Sequence, residues 1–106
     1  MRFSIAAVIY LMSFNVFAAW SNYCGSVDKM YTWTGGGETY GVWVQLDNNP
    51  SACSGGFYLS QQGNNRELVY SFLLSAKMAK TPICIQTNPE VAKISERCKI
   101  NYVVDK

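Results

Sequence analysis

A helix that leads directly into a strand, within residues 64–87, constrains the fold more than any other part of the sequence. Apolar residues recur there at helical spacing and predict one buried helix face. They are Leu68, Val69, Phe72, Leu73, Ala76 and Ala79. Pro82 disfavours helical backbone in the residue before it, so the helix is expected to end at Thr81. Because residues 83–85 (ICI) then alternate as in a strand with one buried face, the rest of the chain must supply a sheet.

Both ends of the predicted helix carry signals of their own. Asn64 is the expected N-cap, and Glu67 three residues later completes a capping box. Lys77 and Lys80 lie in the last turn, where positive charge complements the helix dipole. These signals predict a helix that begins just after Asn64 and is stabilised at both ends.

Five segments in total have the alternation or the composition of strands. They are residues 20–34, 39–47, 53–60, 82–87 and 98–104. Gly35–Gly37 joins the first two as a hairpin, and residues 48–51 and 88–90 are turns. With the helix between the third and fourth strands, the order predicts a mainly β fold with one α-helix (α+β), an OB-fold-like five-stranded antiparallel barrel. The alternative is an open antiparallel sheet with the helix across one face.

The first 18 residues have the pattern of a Sec-type signal peptide. Arg2 precedes an apolar run at residues 5–12, and Val16 and Ala18 stand three and one residues before the expected cleavage point. A membrane anchor is the alternative, but the run is too short to span a bilayer. We therefore expect residues 19–106 to form a single domain that is secreted or periplasmic, without stable membrane insertion.

All four cysteines lie after the predicted signal peptide, and in an exported chain an even number implies disulfides. Cys53 and Cys98 open the third and the last strand, whereas Cys24 and Cys84 both lie on strands of the sheet. Of the three pairings allowed, Cys53–Cys98 with Cys24–Cys84 is favoured. A zinc site is not expected, because the chain has no histidine and no CxxC motif.

The composition argues against catalysis and against nucleic acid as a ligand. Without histidine the chain lacks the commonest general base and the commonest metal ligand, so no metal and no cofactor is expected. Its seven carboxylates are scattered, and two of them meeting in space is the only basis for a small carboxylate-dependent hydrolase. The formal net charge of +2 supplies no strong field toward nucleic acid.

Aromatic residues are concentrated before the helix, and a domain this small cannot bury them all. They are Trp20, Tyr23, Tyr31, Trp33, Tyr40, Trp43, Phe57 and Tyr58. Exposed aromatic faces with nearby polar groups suit sugar rings, and packing in the core or against another subunit is the alternative. At the hairpin tip, Trp33 and Tyr40 flank the glycine turn and Glu38 offers acceptors for sugar hydroxyls. These three residues are the predicted binding site.

A family resemblance rests on residues 68–87 (LVYSFLLSAKMAKTPICIQT), followed by a turn and residues 98–104 (CKINYVV). This half of the chain resembles the B subunits of bacterial pentameric toxins of the cholera, pertussis and subtilase types, in which a long helix leads into the last two strands of an OB-fold. Residues 53–60 (CSGGFYLS) resemble small secreted bacterial proteins of unknown function. The resemblance implies an OB-like fold, glycan binding, a homopentamer and no catalysis, and it carries over no individual sugar-binding residue.

The favoured interpretation is therefore an exported binding protein that is not an enzyme and whose partner is a glycan. A secreted interaction or inhibitor domain that binds a host or partner protein is the first alternative. The small hydrolase is the second. A glycan array would separate the first interpretation from the other two.

Overall fold

The computed structural model describes residues 19–106, and the predicted signal peptide at residues 1–18 lies outside them. The described chain is mainly β with one α-helix, as predicted. In chain order its elements are β1 (Ser21–Gly25), β2 (Val27–Thr32), β3 (Val42–Leu46), a 3₁₀ turn (Ser51–Cys53), β4 (Gly56–Leu59), α1 (Arg66–Ala79), β5 (Ile83–Thr87), β6 (Arg97–Lys99) and β7 (Tyr102–Asp105). No helix in this part of the chain is long and apolar enough to cross a bilayer.

The strands form two sheets. One has three strands in the order β1-β5-β7, and the other has four in the order β2-β3-β4-β6. All neighbours are antiparallel except β4 and β6, which are parallel. The predicted OB-fold-like five-stranded antiparallel barrel is thus not confirmed, since the seven strands described here form two sheets, with no closed barrel, and one strand pair is parallel.

Two of the five predicted strands are each split where the chain passes from one sheet to the other. The first break is at Ser26, between β1 and β2, where the Ser26 carbonyl accepts the Asp47 amide at 2.9 Å. The second lies between β6 and β7. There the Ile100 amide donates to Tyr58 at 3.0 Å and the next amide, of Asn101, donates to Gln86 at 2.8 Å. Consecutive amides thus bond to β4 and to β5, in different sheets.

The core lies between the sheets and is completed by the helix. Its largest fully buried apolar side chains come from β3, β4, α1 and β5, and are Val44, Phe57, Leu73, Ile83 and Ile85. The alternation predicted for residues 83–85 is confirmed, because both isoleucines face this core. The last predicted strand does not keep a single buried face along its length. Ile100 is buried, but Tyr102 and Val104 are exposed, because β7 lies in the other sheet and packs Val103 against the core instead.

The helix begins and ends differently from its sequence signals. Asn65, not Asn64, is the N-cap, and its side chain makes no capping bond. The predicted capping box is therefore wrong, because the backbone at Asn65 (φ −102°, ψ 23°) is outside the extended region that a side-chain cap requires. At the other end Lys80 adopts a left-handed conformation, and the Thr81 amide donates to Ala76 at 3.0 Å. This bonding closes the helix just before Pro82.

The buried face of α1 is narrower than the sequence predicts. Leu73 and Ala76 are buried and Phe72 is half-buried, whereas Leu68 and Ala79 are exposed. The helix packs on β2, β4 and β7, whereas Leu68 and Ala79 line an open groove beside Phe72 and Ile83.

Each sheet carries one disulfide, in the pairing that the strand positions favoured. Cys24 and Cys84 are register partners on β1 and β5 and are bonded to each other. Cys53 in the 3₁₀ turn is bonded to Cys98 on β6, and both residues are fully buried. Such bonds are typical of proteins that reside in an oxidising compartment.

Candidate binding site

Four aromatic rings pack together on the β2–β3 hairpin, and we call them the aromatic cluster. They are Tyr31, Trp33, Tyr40 and Trp43. Trp43 is central, with its ring centroid 4.5 Å from that of Trp33 and 5.8 Å from those of Tyr31 and Tyr40. These separations lie in the range of favourable stacked and edge-to-face pairs. The hairpin that the sequence predicted therefore gathers its aromatic residues on one surface.

Strand alternation explains why the rings share a face. Val42 and Val44 are buried toward the core, so Trp43 between them points to the outer face of the four-stranded sheet. Tyr31 on β2 is the register partner of Trp43, which places the two rings side by side. The Trp43 indole Nε1 also donates to the Thr39 carbonyl at 2.8 Å, so the hairpin tip is tied back to its own strand.

The hairpin tip is a loop rather than an extension of the strand. The second predicted strand was expected to start at Thr39, but β3 begins at Val42, so Tyr40 belongs to the loop. The loop is closed by the Trp33 amide donating to Gly41 at 3.0 Å and by the Gly37 amide donating to Tyr40 at 3.1 Å. Tyr40 is 54% exposed and Tyr31 is 39% exposed, which leaves ring surface open to a ligand.

Of the three predicted site residues, the structure brings two together and gives the third a role within the fold. The rings of Trp33 and Tyr40 are 5.4 Å apart, as expected for a shared surface. The Glu38 carboxylate instead accepts hydrogen bonds from the Ser60 hydroxyl, at 3.0 Å, and from the Gln61 amide. Glu38 thereby holds the hairpin tip against the end of β4.

Tyr58 extends the same outer face but is closed off from solvent. It is the register partner of Trp43 on the neighbouring strand β4, and only 2% of its surface is exposed. Its hydroxyl donates to the carbonyl of Ala92, in the loop of residues 88–96 that covers it. Burial, and secondarily the negative charge of Glu38, raise the pKa of the Tyr58 phenol. Tyr58 thus fixes this loop at the side of the aromatic surface.

Arg97 is part of this surface and was not identified from the sequence. Its guanidinium carbon lies 3.3 Å from the centroid of the Trp43 ring, in a cation–π contact. Gly56 is the register partner of Arg97 on β4, and without a side chain there the arginine can cross the strand toward Trp43. The Gly55–Gly56 pair was the only sequence signal of this arrangement.

The loop before Arg97 has an unusual backbone. Ala92, Ser95 and Glu96 all have positive φ angles, between 48° and 65°, although none is glycine. Such conformations are uncommon and persist where surrounding contacts impose them. The Gly55 amide, which donates to Glu96 at 2.8 Å, is one such contact. The loop is therefore held in a defined shape beside the cluster.

The cavities elsewhere on the molecule include two beside α1. One, of 490 Å³, runs along α1 near Leu68, Phe72 and Ile83. The other, of 410 Å³, lies between α1 and the inner side of the hairpin, over Val42 and Leu59. Within residues 19–106, the acidic and cysteine side chains form no group of three or more that could hold a metal ion. The chemistry that the aromatic surface offers is stacking, cation–π attraction and hydrogen bonding.

The fold and the surface together define a small, disulfide-linked α+β domain with an aromatic and cationic outer face. Comparison with protein families, curated proteins and solved structures gives no match for this chain. The resemblance to toxin B subunits therefore stays a hypothesis, which these comparisons do not support.

Proposed function

We propose that this chain is an exported, non-catalytic domain that binds a glycan through the aromatic cluster. The observation that carries the proposal is the cluster itself, four rings gathered on one outer face with Tyr31 and Tyr40 partly exposed. Sugar rings stack on such surfaces through their apolar C–H faces, and nearby hydroxyl and amide groups orient them. The two disulfides are consistent with export.

We further propose that the scaffold is a partly open OB-fold. If β1 with β2 counts as one long strand and β6 with β7 as another, the described chain has five strand segments. Across the two sheets these segments pair in the order first, second, third, fifth and fourth, and the fourth segment also pairs with the first. OB-folds bind oligosaccharides and oligonucleotides on the face of their second and third strands, between the loops that follow the first and the fourth strand.

The aromatic surface occupies the corresponding place in this chain. Trp43 and Tyr58 lie on the second and third segments, residues 33–41 follow the first segment, and residues 88–96 follow the fourth. A glycan is favoured over a nucleic acid because the formal net charge is only +2 and the chain carries an export signal pattern. The position of the surface and its chemistry thus support the same class of ligand.

Trp33→Ala tests the proposal on a glycan array. We expect the variant to lose glycan binding because it removes the ring that contacts Tyr31, Tyr40 and Trp43. Trp20→Ala is the matched control, since Trp20 is 58% exposed and lies outside the cluster. Sedimentation of both variants identifies the alternative role. Dissociation of an oligomer by Trp33→Ala would assign the cluster to a subunit interface, and unchanged binding with unchanged assembly would exclude both roles.

A second candidate function, binding of another protein, is favoured by exposed apolar side chains on α1. Leu68 and Met78 are 68% and 74% exposed on this helix. The homopentamer that the toxin resemblance implies is one form of such an interaction. Sedimentation of the wild-type protein measures its size directly. No specific observation favours the small hydrolase.

A further inference from the structure

We infer that Arg97 receives a carboxylate group of the ligand, so that the glycan is an acidic one containing a sugar acid. This inference rests on the proposed function and narrows its ligand class. Three features of the outer face support it. The Arg97 guanidinium has a pre-formed position, it lacks an ionic partner in the described part of the chain, and it contacts the aromatic cluster.

Two glycines and a tryptophan surround the Arg97 side chain and set its position. A Cβ atom at Gly55 would lie 3.3 Å from the Arg97 Cγ and 3.1 Å from the Ser95 and Glu96 carbonyl oxygens. Gly56 has a φ of 98°, and a Cβ there would lie 2.5 Å from the Val44 oxygen. A side chain at Gly55 would press on the stem of Arg97, and one at Gly56, the register partner of Arg97, would clash with the backbone of β3. The guanidinium is therefore held in one place before any ligand arrives.

The charge of Arg97 has no ionic partner in the described part of the chain. The single ion pair found there joins Lys93 and Glu96 at 3.6 Å, so the nearest acidic residue in sequence is already engaged. Of the five guanidinium N–H donors, Nη1 supplies one hydrogen bond, to the Ser95 carbonyl at 3.2 Å. The Nε atom is buried without any partner. Few of the donors of this cation are satisfied within the fold.

A carboxylate is the group that best satisfies such a cation. The planar guanidinium matches the two carboxylate oxygens geometrically, and partial burial strengthens their attraction. Trp43 contacts both the guanidinium and the rings of Tyr31, Trp33 and Tyr40. A sugar ring stacked on the cluster and a carboxylate attached to that ring therefore meet complementary groups on one small surface.

The test compares two ligands that differ only at the carboxyl group. Calorimetry measures binding of a hexuronic-acid oligosaccharide and of the same oligosaccharide with its carboxyl groups reduced to neutral alcohols. We expect the wild-type protein to bind the acidic form at least tenfold more tightly, with a preference that shrinks as salt is raised. This comparison needs no variant and so does not depend on how well a variant folds.

Variants then assign the preference to Arg97. Arg97→Gln should abolish the preference by weakening binding of the acidic sugar at least fivefold more than binding of the neutral sugar, and Arg97→Lys should restore part of the preference because it keeps the charge but not the planar fork. Lys99→Gln is the matched control, since it removes the same charge from an exposed position on the same strand.

The outcomes separate this inference from the proposed function. Equal wild-type binding of the acidic and neutral sugars would overturn the role of Arg97 and leave glycan binding intact. An equal loss for both sugars in Arg97→Gln, or a loss of preference in Lys99→Gln as large as in Arg97→Gln, would also overturn it. Absence of glycan binding by the wild-type protein on any array would overturn both proposals.

Discussion

Tyr58 links the surface that we propose as the binding site to the loop beside it. The phenol is buried against the outer face of the sheet and donates its hydrogen to Ala92. Glu38 acts in a similar way on the opposite loop, through Ser60 and Gln61. Two polar side chains thus hold the two loops that flank Trp43. At the scale of single residues, hydrogen bonds of this kind decide how rigid the surface is.

The raised pKa of Tyr58 predicts a loss of stability at alkaline pH. The unfolded chain releases this phenolic proton near the ordinary pKa of 10.0, whereas the folded protein retains it to higher pH. Above about pH 10 the unfolded state therefore binds fewer protons, and the free energy of unfolding falls as pH rises. Urea unfolding at several pH values should show a shallower fall for Tyr58→Phe. A fall as steep as in the wild-type protein would contradict the assignment to Tyr58.

At the scale of elements, α1 joins the two sheets through a narrow strip of side chains. Leu73 is fully buried and belongs to the common core, while Phe72 is half-buried at the edge of a groove. Leu68, one turn earlier, is 68% exposed. The energetic contribution of the helix is therefore concentrated near its middle, in Leu73 and Ala76.

Alanine substitutions along α1 measure how much each position contributes to the free energy of unfolding. Leu73→Ala should lower the free energy of unfolding by about 2–5 kcal/mol, because it removes buried methyl groups and leaves a cavity. Phe72→Ala should cost less than Leu73→Ala, since its ring is only half-buried. Leu68→Ala, the matched control, should change stability by no more than about 0.5 kcal/mol. Chemical denaturation gives all three values, and a cost for Leu68→Ala equal to that of Leu73→Ala would show that its exposed face is covered by another chain.

The elements also show what the sequence could and could not predict. Local patterns identified α1, β5 and the β2–β3 hairpin, because each depends on alternation or helical spacing within a few residues. The breaks at Ser26 and at residues 100–101 depend on which sheet supplies the hydrogen-bond partner of each amide, and no local pattern encodes that. Arg97 was missed for the same reason, since its partner Trp43 lies on a distant part of the chain.

At the scale of the whole molecule, stability depends on two sheets that share one small core. A domain of this size buries a modest fraction of its unfolded surface, so covalent links add a large share of its net stability. The Cys24–Cys84 bond lies within the three-stranded sheet, and the Cys53–Cys98 bond links the four-stranded sheet to the turn before β4. Each sheet therefore has its own covalent link, while the chain passes between the sheets at Ser26, through α1, through residues 88–96 and at residues 100–101.

Removing the two disulfides separately should give unequal effects. Each loss should cost about 2–4 kcal/mol, because the unfolded chain gains conformational entropy when the cross-link is removed. The Cys53→Ala/Cys98→Ala double variant should cost more than Cys24→Ala/Cys84→Ala, because its sulfurs are fully buried and their removal also leaves a cavity. It should also disturb the outer face, since Cys98 adjoins Arg97 on β6. Melting temperatures and tryptophan fluorescence of both double variants check this order. A larger loss for the Cys24 and Cys84 variant would mean that the three-stranded sheet, rather than the buried link beside Arg97, limits the stability of the domain.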